Sequence, residues 1–286
     1  MPDDDKGPAA GSVMRVVSAT AFDTAALAEL FTAGFSGYRF PMQLSEQGFS
    51  DHVALYDLDL GLSRVVVDDD PAAFAHVGRR GHSAWIGGMG TVPSHRRQGL
   101  GERALTAAIK AAFAHGCSEI GLEVLEGNEP AIQLYEKLGF ERVRDLAIWS
   151  LPAIQRNPDA AASAIEFALA QEWIAAHRSS PEPWQRADAS LLALQRRGMT
   201  LRALAIRQDD ELAAAAIIRE LPETTSLLQI AAVDQDAASN ILLAAAEGGP
   251  TLRFANVPPG DPASLAIKRL GAECVVVQHE MLLRAS

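Results

Sequence analysis

Apolar and polar positions alternate along the first half of the chain with strand and helix periods, and turn residues separate the segments. A period of two predicts strands at 14–19, 63–67, 72–78, 83–92, 120–124, 140–143 and 146–151. A helical period predicts helices at 23–33, 49–56, 101–115 and 128–138. Asp23 is the expected N-cap of the first helix, and Gly116 is the expected stop of the third. Strands that alternate with helices predict an α/β arrangement around a mixed sheet.

The second half repeats this order after the composition changes near Pro152. Strands are predicted at 201–207, 212–219, 226–233, 251–256 and 273–283, and helices at 160–177, 234–247 and 262–270. In each half a strand is followed by an Asn (Asn128, Asn256), a Pro and a helix that ends in Leu-Gly. We interpret this as two copies of one fold, although common strand–helix–strand grammar could produce it by coincidence. The predicted domains are a disordered tail at 1–12, a first domain at 13–152 and a second at 153–286.

Composition and charge disfavour several classes of function. The chain has 286 residues, enough for two domains, and a net charge of −11, which disfavours nonspecific binding to nucleic acid. No run of about 18 apolar residues predicts a membrane span, and the first residues do not resemble a signal peptide. Cys117 and Cys274 cannot form a disulfide framework and are expected to be buried, reduced thiols. We therefore expect a cytoplasmic protein without a metal site.

A glycine loop carries the most specific chemistry. The strand at 83–92 is followed by Pro93, which cannot extend a ladder, then by Arg96, Arg97, Gly99 and Gly101 at the start of a helix. Free N–H groups and the dipole of a helix N-terminus suit a pyrophosphate, and glycines let it approach. An ordinary helix start and a dinucleotide-binding fingerprint remain alternatives. A Walker loop is excluded because no Gly-Lys-Ser/Thr is present.

Arg96-x-x-Gly99-x-Gly101 after a strand resembles the pyrophosphate motif of the GNAT family of N-acetyltransferases. The resemblance continues through Leu122-Glu-Val124, Asn128 and Tyr135, and covers roughly 15–151. It implies tandem GNAT folds, each a mixed, mostly antiparallel sheet flanked by helices, and acetyl-CoA as the co-substrate. Backbone groups of Thr91 and Val92 would then meet the pantetheine arm and the acetyl oxyanion. The residues expected around the pyrophosphate are Arg97, Gln98, Gly99, Leu100, Gly101 and Glu102.

The same resemblance implies the catalytic residues. Tyr135 would protonate the departing thiolate. The alternative is that Tyr135 is only a core residue. Glu123 would act as the general base. The alternative is that Glu123 is only a carboxylate of the sheet that pairs with an arginine. Asn128 would contact the cofactor or simply cap its helix. Glu126 and His82 are reserve candidates for the base, with weaker claims than Glu123.

Two further expectations concern the rest of the chain. The second half has no glycine loop, and Asp234 and Asp236 stand where a pyrophosphate would bind, so we expect one cofactor site per chain. The segment 35–58 should face the acceptor, through Phe35, Tyr38, Phe40, Pro41, Met42 and Phe49, unless these residues are plain core. The predicted function is transfer of acetyl to a primary amine on a small molecule or peptide. A noncatalytic acyl-CoA sensor or scaffold and a nucleotide-dependent oxidoreductase are the alternatives, and a homodimer is left open.

Overall fold

The computed structural model describes residues 14–40, 42–153, 162–247, 251–258 and 260–285. By packing, the chain divides into a first unit, Met1–Gly121 with Leu283–Ser286, and a second unit, Leu122–Leu282. The tail predicted at 1–12 lies outside the described residues. The sequence repeat predicts a domain boundary near Pro152. The division by packing does not test that boundary, so it stays a prediction.

The first unit is built on an antiparallel sheet with one parallel pair. Its strands are β1 (Arg15–Ser18), β2 (Arg64–Asp68), β3 (Asp70–Arg80), β4 (Ser83–Thr91) and the start of β5 (Glu119–Leu125), and its helices are α1 (Thr24–Gly34), α2 (Glu46–Leu55) and α3 (Leu100–Ala114). The strands follow one another in chain order, and only β4 and β5 run parallel. That parallel pairing covers Ser83–Trp85 against Glu119–Gly121.

Local capping explains where the helices of this unit begin. Asp23 accepts a hydrogen bond from the Ala26 N–H at 2.8 Å, so its predicted role as N-cap of α1 is confirmed. Ser45 caps α2 in the same way, with the Gly48 N–H at 3.1 Å, and starts that helix earlier than the periodicity predicts. Gly116 follows α3 with a φ of 84°, the left-handed conformation expected after a helix.

The glycines of β4 are required by packing. A Cβ on Gly90 would lie 2.9 Å from the Phe74 ring and 3.1 Å from the backbone of Gly34, so α1 can cross this strand only where side chains are missing. Gly87 is the extra residue of a β-bulge, because His76 pairs with Gly88 while the next residue of β3 pairs with Ile86. The contacts of these glycines therefore indicate close packing at Gly90 and a bulge at Gly87.

The second unit contains the end of β5, seven further strands and five helices of the described residues. Its helices are α4 (Glu129–Lys137), α5 (Phe167–His177), α6 (Asp188–Arg196), α7 (Gln235–Ala246) and α8 (Pro262–Arg269), and its strands are β6 (Glu141–Leu151), β7 (Ser163–Ala164), β8 (Arg202–Gln208), β9 (Glu211–Glu220), β10 (Thr224–Ala232), β11 (Thr251–Val257) and β12 (Glu273–Arg284). The strand order is β12-β6-β11-β10-β9-β8-β7, and only β10 and β11 are parallel.

The element order of the two halves matches. The series β2-β3-β4-α3-β5-α4-β6 returns as β8-β9-β10-α7-β11-α8-β12. One hydrogen bond recurs at the same place: Val92 donates its N–H to the Ala72 carbonyl, and Val233 donates its N–H to the Ala213 carbonyl, both at 2.9 Å. The mixed α/β fold class predicted from the sequence is confirmed, and both halves are built on the same plan.

Several local predictions were wrong. The strands predicted at 140–143 and 146–151 form one continuous strand, β6, because Arg144 and Asp145 hydrogen-bond to Glu280 and His279 of β12 instead of forming a turn. The helix predicted at 160–177 begins only at Phe167 and is preceded by β7, while α6 was not predicted at all. Of the two cysteines, Cys117 is buried as expected and Cys274 is exposed.

His76 makes the core of the first unit sensitive to acid. Its side chain is fully buried among aromatic rings, and neither ring nitrogen has a hydrogen-bond partner among the described residues. Burial, together with the smaller effect of the charge of nearby His52, lowers the pKa of His76 from 6.5 to about 3. Below pH 6.5 the unfolded chain therefore takes up a proton that the folded chain does not, down to about pH 3.

The proton that His76 takes up in the unfolded chain should lower the free energy of unfolding. We expect a fall of about 1.4 kcal/mol for each pH unit between 6.5 and about 3 from this group alone. His76→Leu, which nearly conserves volume, should lose this contribution, about 2 kcal/mol between pH 6.5 and 5.0. Urea unfolding at pH 7.5 and 5.0 measures it, with His82→Leu, at an exposed histidine, as the control. An equal loss on acidification in His76→Leu and the parent would contradict the assignment.

Candidate functional site

The glycine loop brings an open helix N-terminus to the end of β4. After the 3-10 turn Pro93–His95, the backbone adopts positive φ at Arg97 (63°) and at Gly99 (77°), and α3 begins at Leu100. Gly99 is the N-cap and supplies no capping side chain, so the first N–H groups of α3 remain available. A Cβ on Gly99 would meet nothing within 4 Å, which places open space directly in front of these donors. This geometry suits a bound anion.

The two arginines of the loop have different surroundings. The Arg96 guanidinium donates to the carbonyls of Thr91 (3.1 Å), Gly34 (3.3 Å) and Ser36 (2.5 Å), so it braces the end of α1 against the end of β4. Arg97 is exposed on the loop itself. The sequence prediction places Arg97, and not Arg96, among the pyrophosphate residues, and the contacts of Arg96 with three carbonyls fit that choice.

Of the two residues at the end of β4 whose backbone was expected to contact a ligand, Thr91 and Val92, one does not fit. Val92 donates its N–H to Ala72 and accepts from the His95 N–H at 3.0 Å, so the expected contact of its backbone with a ligand does not fit. Backbone groups alternate between the two edges of a strand, so the N–H groups of Thr91 and Met89 point away from β3. Since pairing with β5 stops at Trp85, these N–H groups lie on the edge that the parallel pairing leaves open. Met89 is the residue that sequence reasoning missed.

Gly101 explains how closely α3 approaches this edge. A Cβ at Gly101 would lie 3.1 Å from the Thr91 hydroxyl and 3.3 Å from the Met89 methyl group. Gly101 therefore serves the packing of the helix onto the strand, whereas Gly99 serves the turn and the open space. Leu100 is buried below the loop, while Gln98 is exposed and Glu102 is half-buried in the first turn of α3.

The remaining predicted site residues belong to the second unit. Tyr135 is buried on α4 with its ring 5.9 Å from that of Phe140, a packing that both the acid role and the core alternative allow. Asn128 occupies the N-cap position of α4 but makes no capping hydrogen bond through its side chain, which removes support for the capping alternative. Glu123 is half-buried on β5 and accepts a hydrogen bond from the Gln185 amide at 2.9 Å, a partner that the sequence did not suggest.

The two reserve bases lie in less suitable surroundings. Glu126 is exposed just after β5, and its backbone N–H donates to Val277. His82 is exposed in the turn before β4, with Nδ1 2.9 Å from the Gly116 carbonyl oxygen, at the opposite end of this strand from the glycine loop. Neither has the half-buried position in a strand that Glu123 has.

Comparison with known proteins identifies the family. The model of the acetyltransferase (GNAT) family matches residues 25–140, which include β4, the glycine loop, α3 and Tyr135. This part of the chain belongs to the GNAT family. An N-alpha-acetyltransferase of Sulfurisphaera tokodaii is 38% identical over 69 residues, or 24% of this chain and 40% of its own length. A thialysine N-epsilon-acetyltransferase of Bos taurus is 28% identical over 76 residues, or 27% of this chain and 45% of its own. The matches thus span less than half of these curated relatives.

Solved GNAT structures resemble nearly the whole chain. A GCN5-related N-acetyltransferase from Sphaerobacter thermophilus has a TM-score of 0.68 at 16% identity and covers 95% of both chains. A tandem GNAT protein from the clavulanic acid biosynthesis pathway has a TM-score of 0.67 at 13% identity, covering 96% of this chain and 99% of that one. At these identities the likeness concerns the fold, and it extends over both GNAT-like halves.

The second GNAT-like half has lost the open helix end. Its helix α7 begins at Gln235, and the Asp234 carboxylate caps it by accepting from the Ala237 N–H at 2.8 Å. No loop separates Val233 from this cap, and Asp236 pairs with Arg269. Where α3 presents free donors to an anion, α7 presents a carboxylate of its own.

An arginine also fills the strand gap of this half. Parallel pairing of β10 with β11 ends at Leu227–Phe254, and beyond it the Arg186 guanidinium donates to the carbonyls of Leu228 (2.9 Å) and Asn256 (3.0 Å). The guanidinium lies 4.5 Å from the centre of the Phe254 ring. It also pairs with Glu182 at 3.1 Å, with side chains only 7% and 5% exposed. Burial raises the pKa of Glu182, and the charge of Arg186 partly offsets this.

A cavity of about 660 Å³ lies beside α1 in the first unit. Of the residues expected to face an acceptor, Phe35, Tyr38 and Met42 line it, Phe49 is fully buried core, and Pro41 lies outside the described residues. Phe40 is absent from the wall. The sequence missed the rest of the lining, which comprises Glu29, Thr32, Ala33, Ser36, Gly37, Gln43 and Leu44.

Two features are absent from the described part of the chain. No group of three or more His, Cys, Asp or Glu side chains there is arranged to hold a metal ion. No helix among those residues is both long and apolar enough to cross a membrane.

Breaking the buried pair should strongly destabilise the second half. Arg186→Met leaves Glu182 buried without its cation, and we expect the free energy of unfolding to fall by about 3–5 kcal/mol. Arg202→Met is the matched control, because Arg202 pairs with Glu220 on the surface, and it should cost less than about 1 kcal/mol. Denaturant unfolding of both variants checks this, and similar losses would show that Arg186 does not hold the strand gap together.

Proposed function

We propose that the protein is an acetyl-CoA-dependent N-acetyltransferase with one cofactor site per chain, formed by the first GNAT-like half. The observation that carries the proposal is the uncapped N-terminus of α3 beside the unpaired edge of β4, in a segment that belongs to the GNAT family. Nothing comparable remains in the second half, where Asp234 caps the helix and Arg186 fills the gap.

The loop residues suit the pyrophosphate of acetyl-CoA. The backbone of Gly99 and of the first turn of α3 would donate to the phosphate oxygens, and the exposed Arg97 would add positive charge. The N–H groups of Met89 and Thr91 would hold the pantetheine arm and the acetyl carbonyl along the edge of β4. The residues proposed for the pyrophosphate are Arg97, Gln98, Gly99, Leu100, Gly101 and Glu102.

The chemistry needs two proton transfers that involve side chains. Acetyl-CoA supplies an acetyl group activated as a thioester. The ammonium form of the acceptor first loses one proton to solvent, which frees the nitrogen lone pair. As this lone pair forms the new bond to the carbonyl carbon, Glu123 would accept the second proton of the nitrogen, directly or through water. As the carbon–sulfur bond breaks, Tyr135 would give its proton to the departing thiolate. The products are the acetylated amine and CoA, and the two side chains then exchange protons with solvent.

The acceptor is proposed to be a primary amine held at the cavity beside α1. Its volume of about 660 Å³ has room for a small molecule or the end of a peptide. Rings of Phe35 and Tyr38 offer apolar contact, and the carboxylate of Glu29 would attract the ammonium form of the amine.

Acetyl-CoA binding tests the cofactor site. In isothermal titration calorimetry we expect one molecule per chain, with Gly99→Glu raising the Kd about a hundredfold and Arg97→Glu about tenfold, because each places a carboxylate beside the phosphates. Gly198→Glu is the matched control, since Gly198 also has positive φ and no atom within 4 Å of its Cβ position. Arg207→Glu controls for the exposed arginine. Equal binding by Gly99→Glu and Gly198→Glu would contradict the site.

Loss of the Tyr135 hydroxyl tests the acid. Tyr135→Phe should lower kcat about a hundredfold in a thiol-release assay with an amine panel, and it should leave the Kd for acetyl-CoA nearly unchanged. Tyr56→Phe removes a hydroxyl elsewhere in the first half and should change neither value. An unchanged kcat in Tyr135→Phe would make this residue a core tyrosine. Tight binding without turnover of any amine would favour an acyl-CoA sensor or scaffold.

A further inference from the structure

A chain of three side-chain amides ends on the carboxylate of Glu123. The Gln185 Nε2 donates to Glu123 Oε2 at 2.9 Å, and Gln185 Oε1 accepts from Asn256 Nδ2 at 3.0 Å. The Asn256 Oδ1 in turn accepts from Gln278 Nε2 at 2.7 Å. Gln185 and Asn256 each use both ends of the amide, so these two side chains are held in one orientation along the line.

The direction of these hydrogen bonds follows from the residue at the end. An ionised carboxylate only accepts hydrogen bonds, so the group that faces Glu123 must be the NH₂ of Gln185. That choice turns the oxygen of Gln185 towards Asn256 and fixes the other amides in sequence. An N–H donor such as the Gln185 amide stabilises the charged form of a carboxylate.

The segment that carries Gln185 is anchored on both sides. The next residue, Arg186, donates to the Asn256 carbonyl at 3.0 Å, so two consecutive residues hold the same asparagine. Asn256 is only 5% exposed and has a φ of 55°, a conformation that asparagine tolerates better than most residues. The Arg186 carbonyl accepts from the buried Gln229 at 2.6 Å. Gln185 thus reaches Glu123 from a rigid support.

We infer that Gln185 is a positioning residue for the general base, holding the Glu123 carboxylate in one orientation and in its charged form. This inference rests on the base role proposed for Glu123. It gives the second GNAT-like half a part in the reaction: the segment whose Arg186 fills the unused strand gap also supports the base. Gln185 acts through Glu123 and has no proposed contact with either substrate.

Steady-state kinetics and pH profiles test this role. Gln185→Leu should lower kcat about tenfold, leave the Kd for acetyl-CoA unchanged and move the acidic limb of the pH–rate profile upward by about one unit. Gln195→Leu, at an exposed glutamine of α6, is the matched control and should change none of these. Gln278→Leu, at the far end of the line, should move the acidic limb of the pH–rate profile in the same direction by a smaller amount. This variant tests whether the effect passes along the line of amides, because Gln278 does not contact Gln185 or Glu123 in that line.

A double-mutant comparison separates this inference from the proposed function. In a Glu123→Gln background, Gln185→Leu should cause no further loss of kcat, because the group it supports is already gone. If Glu123→Gln loses activity but Gln185→Leu behaves like Gln195→Leu, the inference is overturned and the acetyltransferase proposal stands. If Glu123→Gln keeps full kcat, both the base role and the inference are overturned. A parent protein that acetylates no amine overturns the proposed function and the inference with it.

Discussion

The structure depends on one constraint: backbone groups need hydrogen-bond partners beyond the point where a parallel strand pair ends. Each half has a single parallel pair in an otherwise antiparallel sheet, and each pair ends after a few residues, at Trp85–Gly121 and at Leu227–Phe254. Backbone N–H and C=O groups beyond that point still need partners, because an unsatisfied buried group costs free energy. The two halves meet this need differently, and the difference decides which of them has a use for a ligand.

In the first half these groups lie close together. The N–H groups of Met89 and Thr91 point away from β3, and the start of α3 has no side-chain cap. The strain of a non-glycine residue at positive φ, Arg97, is concentrated in the same loop. Such features weaken a fold unless something binds there, and an elongated anion with a peptide-like arm would satisfy both groups of donors together.

In the second half the need is met internally. The Arg186 guanidinium satisfies the carbonyls of Leu228 and Asn256, and Asp234 satisfies the first turn of α7. A buried ion pair is weak evidence for stability, because desolvation offsets much of its attraction. Here the guanidinium also donates to two carbonyls and stacks on Phe254, so its donors do not remain unsatisfied. Loop, helix end and strand gap have all changed, which is a stronger sign of a lost site than the missing glycines alone.

Sequence periodicity was sufficient for most of the elements and for the loop, because both are encoded by residues close together in the chain. It failed where the deciding partner is distant. Arg144 and Asp145 resemble a turn until Glu280 and His279 are seen across the ladder. Arg186 resembles an ordinary surface arginine near a proline turn, and nothing local indicates that it enters a gap between β10 and β11.

The candidate site shows the same limit at the level of single atoms. A motif gives the order of Thr91 and Val92, but only strand pairing tells which of them turns its N–H towards Ala72 and which turns it outward. A motif also gives Glu123, while its amide support comes from three positions spread over the second half. The family pattern therefore locates the residues that touch a substrate more readily than those that hold them in place. Residues of the second kind are found by following hydrogen bonds outward from a charged group, as they are here through the buried Asn256 to the half-buried Gln278.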